Sequence, residues 1–304
     1  MAGSEDAAWR RPASGAVGRS FRDGPLTVPV SGATRWVLRI GSAVTLAFLY
    51  APLVVIFIYA FNETTVQQWP PAGLSFRWFS EAWDNQGVRD ALWTSVKVAI
   101  GATGIAMILG TLASYTVARF DFFGKTSISF LVILPIALPG IVTGMALNAT
   151  FTQVLGVSLS LWTVIIGHAT FCIVVVFNNV VARLRRTPAS LEDAAADLGA
   201  LPSRGFRDIT FPQMRSALIA GALLAFALSF DEVIVTTFTA GSTETLPIWI
   251  LNNLSRPRSL GVVNVVAVVV VILSIIPVYI AQRLSNDPVT AVGTVRDTPA
   301  EPGI

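Results

Sequence analysis

Charged residues are scarce in this sequence of 304 residues. Asp, Glu, Lys and Arg together make up 13% of it, whereas hydrophobic residues make up 53%. A soluble domain of this size carries about 25% charged residues. The shortage of charge therefore excludes a water-soluble globular protein and predicts that most of the chain lies in a membrane.

Cysteine, histidine and the common hydrolytic motifs are also nearly absent. Cys172 is the only cysteine, so no intrachain disulfide can form, and we expect it to serve in packing. The chain has no Walker A, Rossmann, HExxH or GxSxG motif and no cysteine–histidine cluster. These absences argue against ATP hydrolysis by this chain and against a membrane-embedded enzyme. The single histidine, His168, is interpreted as a hydrogen-bonded residue of a helix bundle, with a proton-relay site as the alternative.

Long apolar runs fill most of the remaining sequence. A membrane-spanning helix needs about 20 mostly apolar residues, and the runs are long enough for six, which predicts an all-α integral membrane protein. The predicted helices are 36–60, 92–118, 127–149, 160–182, 216–239 and 261–283. Residues 1–35 and 286–304 are polar and contain Pro and Gly, so both tails are expected to be disordered. The polar stretch before the first run argues against a cleavable signal peptide.

Basic residues are unevenly distributed between the predicted loops. If both termini lie in the cytoplasm, the inner segments contain most of the arginines. The outer loops then contain only Arg77, Arg89, Arg256 and Arg258. This distribution follows the positive-inside rule. It also accounts for the net charge of +3 without a nucleic-acid partner.

Glycine and proline mark special positions in the third predicted helix. Gly140 and Gly144 have GxxxG spacing, which allows two helices to approach closely. Pro135 and Pro139 are expected to bend or break the same helix. A broken helix suits a moving pathway better than a rigid anchor.

A charged, alanine-rich segment separates the fourth and fifth predicted helices. We call residues 187–212 the interhelical segment. Thr187-Pro188, or Ser190 as an alternative cap, is expected to begin a short helix, and Gly199 to end it, because glycine adopts the left-handed conformation freely. A second short helix is expected over residues 203–210, closed by Pro212.

The first of these short helices has a narrow apolar stripe, formed by Leu191, Ala194, Ala195 and Leu198. Such a stripe could rest on lipid. However, it consists mostly of alanine and is flanked by three acids, which favours docking into a groove of another protein.

The interhelical segment closely resembles the EAA loop of permease subunits from binding-protein-dependent ATP-binding-cassette importers. The family pattern is Glu-Ala-Ala, three residues, Gly, nine residues, Ile, one residue and Leu-Pro. The chain has Asp193-Ala194-Ala195, Gly199, Ile209 and Phe211-Pro212 at these positions, with aspartate in place of glutamate and phenylalanine in place of leucine. The similarity extends over about residues 50–285.

This resemblance implies the type I importer permease fold, with residues 36–285 as the permease domain. It also implies that the interhelical segment is a cytoplasmic coupling helix that docks on an ATPase subunit. The residues implied for ATPase coupling are Leu191, Glu192, Asp193, Ala194, Ala195, Asp197, Leu198, Gly199, Ile209, Phe211 and Pro212.

The same resemblance implies a set of partners in a bacterial inner membrane. These are two ATP-binding-cassette ATPase subunits, an extracytoplasmic solute-binding protein and a second homologous permease subunit. A distinct second permease is expected, with a copy of this chain as the alternative. The chain itself is expected to bind no cofactor, because ATP and Mg belong to the ATPase subunits.

Within the family, the region after the interhelical segment resembles spermidine/putrescine permeases. The resembling segments are SFDEVIVTTFTAG (229–241), TLPIWIL (245–251) and Val263-Asn264. Related permeases for opines or aminophosphonates share these features, so such solutes remain alternatives. An ion-coupled secondary transporter is a further, more distant alternative.

Asp231 and Glu232 suit a cationic solute. A carboxylate inside a bilayer is costly unless it meets a partner or a wet cavity. Adjacent residues on a helix point about 100° apart, so only one of the two is expected to face the pathway. The alternative is that they pair with an arginine, Lys97 or backbone amides to hold the bundle together. Trp249 and Asn264 are further candidates for lining the pathway.

Overall fold

The computed structural model describes residues 32–285, which form α-helices joined by turns and contain no strand. The predicted disordered tails lie outside the described residues, except for residues 32–35, which begin the first helix. The helices are α1 (Gly32–Ala60), α2 (Arg77–Asp84), α3 (Gln86–Arg119), α4 (Lys125–Ala137), α5 (Gly140–Ala149), α6 (Leu161–Arg186), α7 (Ser190–Asp197), α8 (Pro202–Gly205), α9 (Phe211–Phe230), α10 (Ile234–Thr239), α11 (Leu246–Leu254) and α12 (Leu260–Ser285).

Six stretches of the described chain correspond to the predicted membrane spans. Five of them are single helices long and apolar enough to cross a membrane: α1, α3, α6, residues 202–230 and residues 257–280. The sixth consists of α4 and α5 together, which are bent by 103° relative to each other. The prediction of an all-α membrane protein is thereby confirmed.

The bend between α4 and α5 lies at Leu138-Pro139. Proline has no N–H to donate and disfavours helical geometry in the residue before it. Leu138 accordingly has an extended backbone, with ψ of 144°. The predicted break in the third span is confirmed here, with a local cause.

The fifth predicted span is interrupted in its C-terminal third. α9 ends at Phe230 and α10 begins at Ile234, so the prediction of one continuous helix over 216–239 was wrong. The carboxylate of Glu232 accepts a hydrogen bond from the backbone N–H of Val235 at 2.9 Å. An acidic side chain that binds a free N–H group stabilises a helix start, so Glu232 supports a new helix after the break.

The chain divides into two compact units at Pro52. The described part of the first unit is residues 32–51 of α1, whose side chains are all exposed. The second unit is centred on α6, which packs against α3 and α9.

Small residues set the closest helix contacts in the second unit. Gly110 of α3 and Gly221 of α9 both lie against Val176 of α6, and a Cβ added at Gly110 would lie 2.9 Å from the Val176 Cβ. In α5, Gly140 and Gly144 lie against Ile234 and Phe238, respectively. The close approach predicted from the GxxxG spacing is confirmed, and its partner is α10.

The segment between α1 and α3 is held against α12. Trp78 of α2 is buried, and its ring contacts Gly261 at the start of α12. Its indole N–H donates to the backbone oxygen of Asn62 at 2.6 Å. The aromatic residues of this segment therefore serve partly in intrachain packing.

Candidate functional site

The interhelical segment contains the short helix that its sequence predicts. α7 runs from Ser190 to Asp197 and ends in a reversal at Gly199, which has φ of +84°. The N–H of Gly199 donates to Ala196 O at 2.8 Å, and the N–H of Ala200 donates to Ala195 O at 2.9 Å. The predicted glycine stop is confirmed, because a left-handed residue at this position closes the last helical turn.

Three local details of the segment differ from the prediction. The N-cap of α7 is Ala189 and no side chain caps the helix, so the expected caps at Thr187 and Ser190 were wrong. The expected second short helix is instead α8 followed by a wider turn over 206–210, which leads directly into α9. Pro212 does not close that element, because it lies in the first turn of α9, where its missing N–H costs nothing.

Most residues proposed to contact an ATPase are exposed in this chain. Leu198 is 90% exposed and Leu191 is 45% exposed. The acids Asp193 and Asp197 are also exposed, as are Ala194, Gly199, Phe211 and Pro212, whereas Ala195 and Ile209 are half-buried. The segment thus has apolar side chains and carboxylates together among its exposed residues. Their role in ATPase coupling stays a prediction.

Glu192 differs from its neighbours because its carboxylate is bonded within the chain. Its Oε1 lies 2.8 Å from Nε of Arg119 at the end of α3. The same oxygen accepts a hydrogen bond from the Thr210 hydroxyl at 2.9 Å. The Tyr115 hydroxyl lies 3.4 Å from the other carboxylate oxygen. Glu192 therefore joins α7 to α3 and to the start of α9.

Both candidate pathway acids lie in the break between α9 and α10, but their side chains differ in exposure. The Glu232 side chain is half-buried and binds the N–H of Val235, as described above. The Asp231 side chain is exposed. Of the alternatives left open by the sequence, an intrachain backbone partner holds for Glu232. The role of Asp231 in facing a solute stays a prediction.

His168 of α6 holds the two sides of this break. Its Nδ1 lies 2.9 Å from Ser229 Oγ in α9, and its Nε2 lies 2.8 Å from Thr236 Oγ1 in α10. The Thr236 hydroxyl donates its only proton to the Glu232 carbonyl oxygen at 2.8 Å. With that proton on the carbonyl side, Nε2 of His168 is assigned as the donor to Thr236. The interpretation of His168 as a hydrogen-bonded bundle residue is confirmed.

Two further contacts fix α10 at its carbonyl end. Asn148 Nδ2 donates to Phe238 O at 2.6 Å, and the Thr163 hydroxyl donates to Thr239 O at 2.7 Å. α10 is thus attached to α5 and α6 by polar side chains.

Trp249 and Asn264, the other predicted pathway residues, are buried. Each is 6% exposed, and Trp249 packs in a cluster that includes Trp78, Leu246 and Val263. Their role in lining a pathway stays a prediction.

Sequence reasoning missed Arg119, Tyr115 and Thr210, which bind Glu192. Arg119 is one of the inner arginines of the predicted topology, and an arginine at a helix end looks the same in sequence whether it is solvated or paired. Ser229 and Thr236 were missed because they have no motif of their own.

Within residues 32–285, no group of three or more His, Cys, Asp or Glu residues could hold a metal ion.

Residues 106–288 match a family described as the binding-protein-dependent transport system inner membrane component. The chain belongs to this family. It is the membrane permease component of an ATP-binding-cassette importer and not the subunit that hydrolyses ATP.

Similar proteins from bacteria agree with this assignment. The chain is 35% identical over 214 residues to the putrescine transport system permease protein PotI of Escherichia coli strain K12, which covers 68% of this chain and 75% of that protein. It is 32% identical over 245 residues to the spermidine/putrescine transport system permease protein PotC of Haemophilus influenzae, covering 80% and 94%. PhnV of Salmonella paratyphi A, whose name assigns it provisionally to 2-aminoethylphosphonate transport, is 27% identical over 223 residues, covering 71% and 82%.

Solved structures share the fold. A bacterial ABC transporter involved in alginate import superimposes with a TM-score of 0.62 at 17% identity, covering 83% of this chain and 98% of that chain. The MetNI methionine ABC transporter in inward-facing conformations gives 0.53 at 17% identity, covering 65% and 94%. The predicted importer permease fold is confirmed.

Proposed function

We propose that this permease carries a polyamine such as putrescine or spermidine across the membrane. The observation that carries the proposal is the exposed carboxylate of Asp231 at the break between α9 and α10. A charge in an apolar bundle is costly unless it meets an opposite charge or water, and the ammonium groups of a polyamine supply the opposite charge. The names and identities of PotI and PotC support the same solute class.

The proposed importer needs the partners that the sequence implies. Two ATPase subunits bind ATP and Mg and receive the interhelical segments. A second permease, distinct from this chain, completes the pathway, and an extracytoplasmic binding protein delivers the solute. Both termini lie in the cytoplasm. The exposed Leu191, Leu198 and Asp193 support docking on an ATPase, because they combine apolar area with charge at a single surface.

ATP binding then drives alternating access. Closure of the ATPase subunits moves the interhelical segments, and the membrane helices open outward to receive the solute. The break at 231–233 directly follows the membrane-spanning stretch 202–230, so Asp231 meets the solute at that end of the stretch.

An aminophosphonate is the second candidate, favoured by the similarity to PhnV. Such a solute also has an ammonium group, but its phosphonate would be repelled by Asp231. Discrimination between the two solutes is therefore a direct test of the proposed role of this acid.

The deciding experiment uses the complete complex with its own binding protein in proteoliposomes. Radiolabelled putrescine, spermidine and 2-aminoethylphosphonate are supplied outside, and ATP is enclosed on the ATPase side. We expect ATP-dependent uptake of a polyamine. Uptake of only the phosphonate would overturn the substrate, and uptake by this chain alone with an ion gradient and no ATP would overturn the importer mechanism.

A further inference from the structure

The interhelical segment is attached to the membrane helices by Glu192. In α7, the neighbouring Asp193 and Asp197 are exposed, whereas Glu192 points back into the chain. Its Oε1 receives both Arg119 Nε and the Thr210 hydroxyl, at 2.8 and 2.9 Å. Hydrogen bonds between charged partners are among the stronger ones, so α7 is tied to α3 despite a separation of 73 residues in sequence.

Arg119 also joins the segment to the end of α6. Its Nη1 donates to Leu184 O at 3.4 Å and to Thr187 O at 3.3 Å. The Arg119 and Glu192 side chains are only 8% and 21% exposed. Water and salt therefore screen this ion pair less than a surface pair.

An aromatic contact supports the same attachment. The ring of Phe206, in the turn after α8, packs edge-on against Tyr115 of α3 at a centroid distance of 5.3 Å. Two parts of the interhelical segment, one before and one after Gly199, thus contact the last turns of α3.

α3 is able to carry a displacement across the bundle. It has 34 residues, which corresponds to a rod of about 50 Å. Towards its other end, the Ser95 hydroxyl accepts a hydrogen bond from the N–H of Leu246, the first residue of α11, at 2.8 Å. Arg119 and Ser95 therefore connect the interhelical segment to α11 through a single helix.

We propose that Arg119, Glu192 and Thr210 form a joint that transmits movement of the interhelical segment to α3. Glu192 then acts as a positioning residue rather than as an ATPase contact, and Arg119 is its partner rather than a topology signal alone. This inference rests on the proposed docking of the segment on an ATPase. Without the joint, α7 follows the ATPase while α3 stays behind, so ATP is hydrolysed without import.

The test compares Glu192→Gln, Arg119→Gln and the double variant in the complete complex, reconstituted with binding protein in proteoliposomes. ATPase co-purification, ATP hydrolysis and putrescine uptake are measured together. Asp121→Asn is the matched control, because Asp121 is an exposed acid two residues beyond Arg119. We expect each single variant to assemble and hydrolyse ATP, while the solute imported per ATP falls about tenfold, as expected when a charge-assisted contact is lost.

The double variant should be no worse than the more affected single variant, because the two side chains act through one contact. Additive losses, or an unchanged ratio of solute to ATP in all variants, would overturn the joint. Loss of ATPase co-purification in Glu192→Gln would also overturn it, since Glu192 would then contact the ATPase directly.

Two further variants keep the result decisive. If Arg119→Gln does not fold, Thr210→Val keeps both charges and removes one hydroxyl, and we expect about a threefold fall in solute per ATP. Gly199→Val separates this inference from the proposed function. If this variant leaves ATPase binding and uptake normal, the proposed docking of the segment on an ATPase is wrong. If it lowers both while the Glu192 and Arg119 variants leave the solute imported per ATP unchanged, only the joint is wrong.

Discussion

Two pairs of adjacent acids lie in different regions of this permease, and in each pair one acid is bonded within the chain while the other is exposed. In the interhelical segment, Glu192 is bonded within the chain and Asp193 is exposed. At the break after α9, Glu232 is bonded within the chain and Asp231 is exposed. In both regions the longer acid is bonded within the chain, and the shorter, exposed acid is the one proposed to meet a partner.

The two glutamates differ in what they bind. Glu192 binds side chains from remote parts of the chain, whereas Glu232 binds the backbone of Val235, three residues ahead. The interhelical segment therefore depends on a tertiary contact with α3. The break depends on a local helix start, and His168 adds the tertiary support. A mechanical role suits the first region and a solute-binding role suits the second.

The largest effect is expected at Gly199, which reverses the chain after α7, the helix that contains Glu192 and Asp193. Gly199→Val places a side chain in the left-handed region, which costs roughly 1–2 kcal/mol for a non-glycine residue. No other atom would lie within 4 Å of the added Cβ, so the cost comes from the backbone alone. We expect ATPase co-purification and uptake to fall by about tenfold or more, because each 1.4 kcal/mol is a factor of ten.

Two matched controls sharpen this prediction. Gly205 lies in the same segment with ordinary helical geometry, with φ of −54°. Gly124 has φ of +85° but lies outside the segment. Gly205→Val should leave coupling intact, and Gly124→Val should reproduce the strain without the loss of ATPase. Equal losses in all three variants would contradict a specific role of Gly199.

The next largest effect is expected when the two acids at the break are exchanged for amides. Asp231→Asn removes the exposed charge, and we expect putrescine uptake at low concentration to fall about tenfold, through a higher KM. Glu232→Gln keeps an oxygen that can accept the Val235 N–H, so uptake should stay close to that of the unaltered protein. Complex assembly should survive in both variants. A larger loss of uptake in Glu232→Gln than in Asp231→Asn would break the comparison.

A smaller effect is expected for the exposed acid of the interhelical segment. Asp193→Asn should weaken ATPase association about threefold, which is the range of an exposed ion pair. The amount of ATPase retained on the purified permease at increasing salt concentration measures it. High salt should remove the difference between Asp193→Asn and the unaltered protein, because screening weakens an exposed charge contact. A difference that persists at high salt would place Asp193 in a buried contact instead.

The smallest effect is expected for Tyr115→Phe. The hydroxyl lies 3.4 Å from Glu192, which is long for a hydrogen bond between oxygens. The variant keeps the ring that packs on Phe206. We expect the free energy of unfolding to change by less than about 0.5 kcal/mol, with thermal unfolding in detergent as the measurement. A larger loss would make Tyr115 a full member of the proposed joint.

Some elements of the candidate site could be predicted because their cause is local. The stop at Gly199 follows from the freedom of one residue, and the bend at Leu138-Pro139 follows from one peptide unit. The apolar runs predict the spans because their length matches the thickness of a bilayer. The resemblance of residues 193–212 to a known loop adds the family, which the comparisons confirm.

The break after Phe230 was missed although its residues were noticed. Asp231 and Glu232 were interpreted as acids on one continuous helix, since the apolar run continues on both sides of them. The interruption is visible only when Glu232 meets the N–H of Val235 and His168 bonds to Ser229 and Thr236. Hydrophobicity records whether a residue tolerates lipid, and it does not record whether the backbone there is helical.

The sequence alone determined that this chain is an α-helical membrane protein, about where its spans lie, though not the break after Phe230, and which loop resembles an ATPase-coupling segment. These properties depend on composition, length and the geometry of single residues. The tertiary structure alone decided that Glu192 faces Arg119 and that His168 bonds to Ser229 and Thr236. Such pairings depend on which helix faces meet, and residues more than sixty positions apart are brought together only by the packing of α3, α6 and α9.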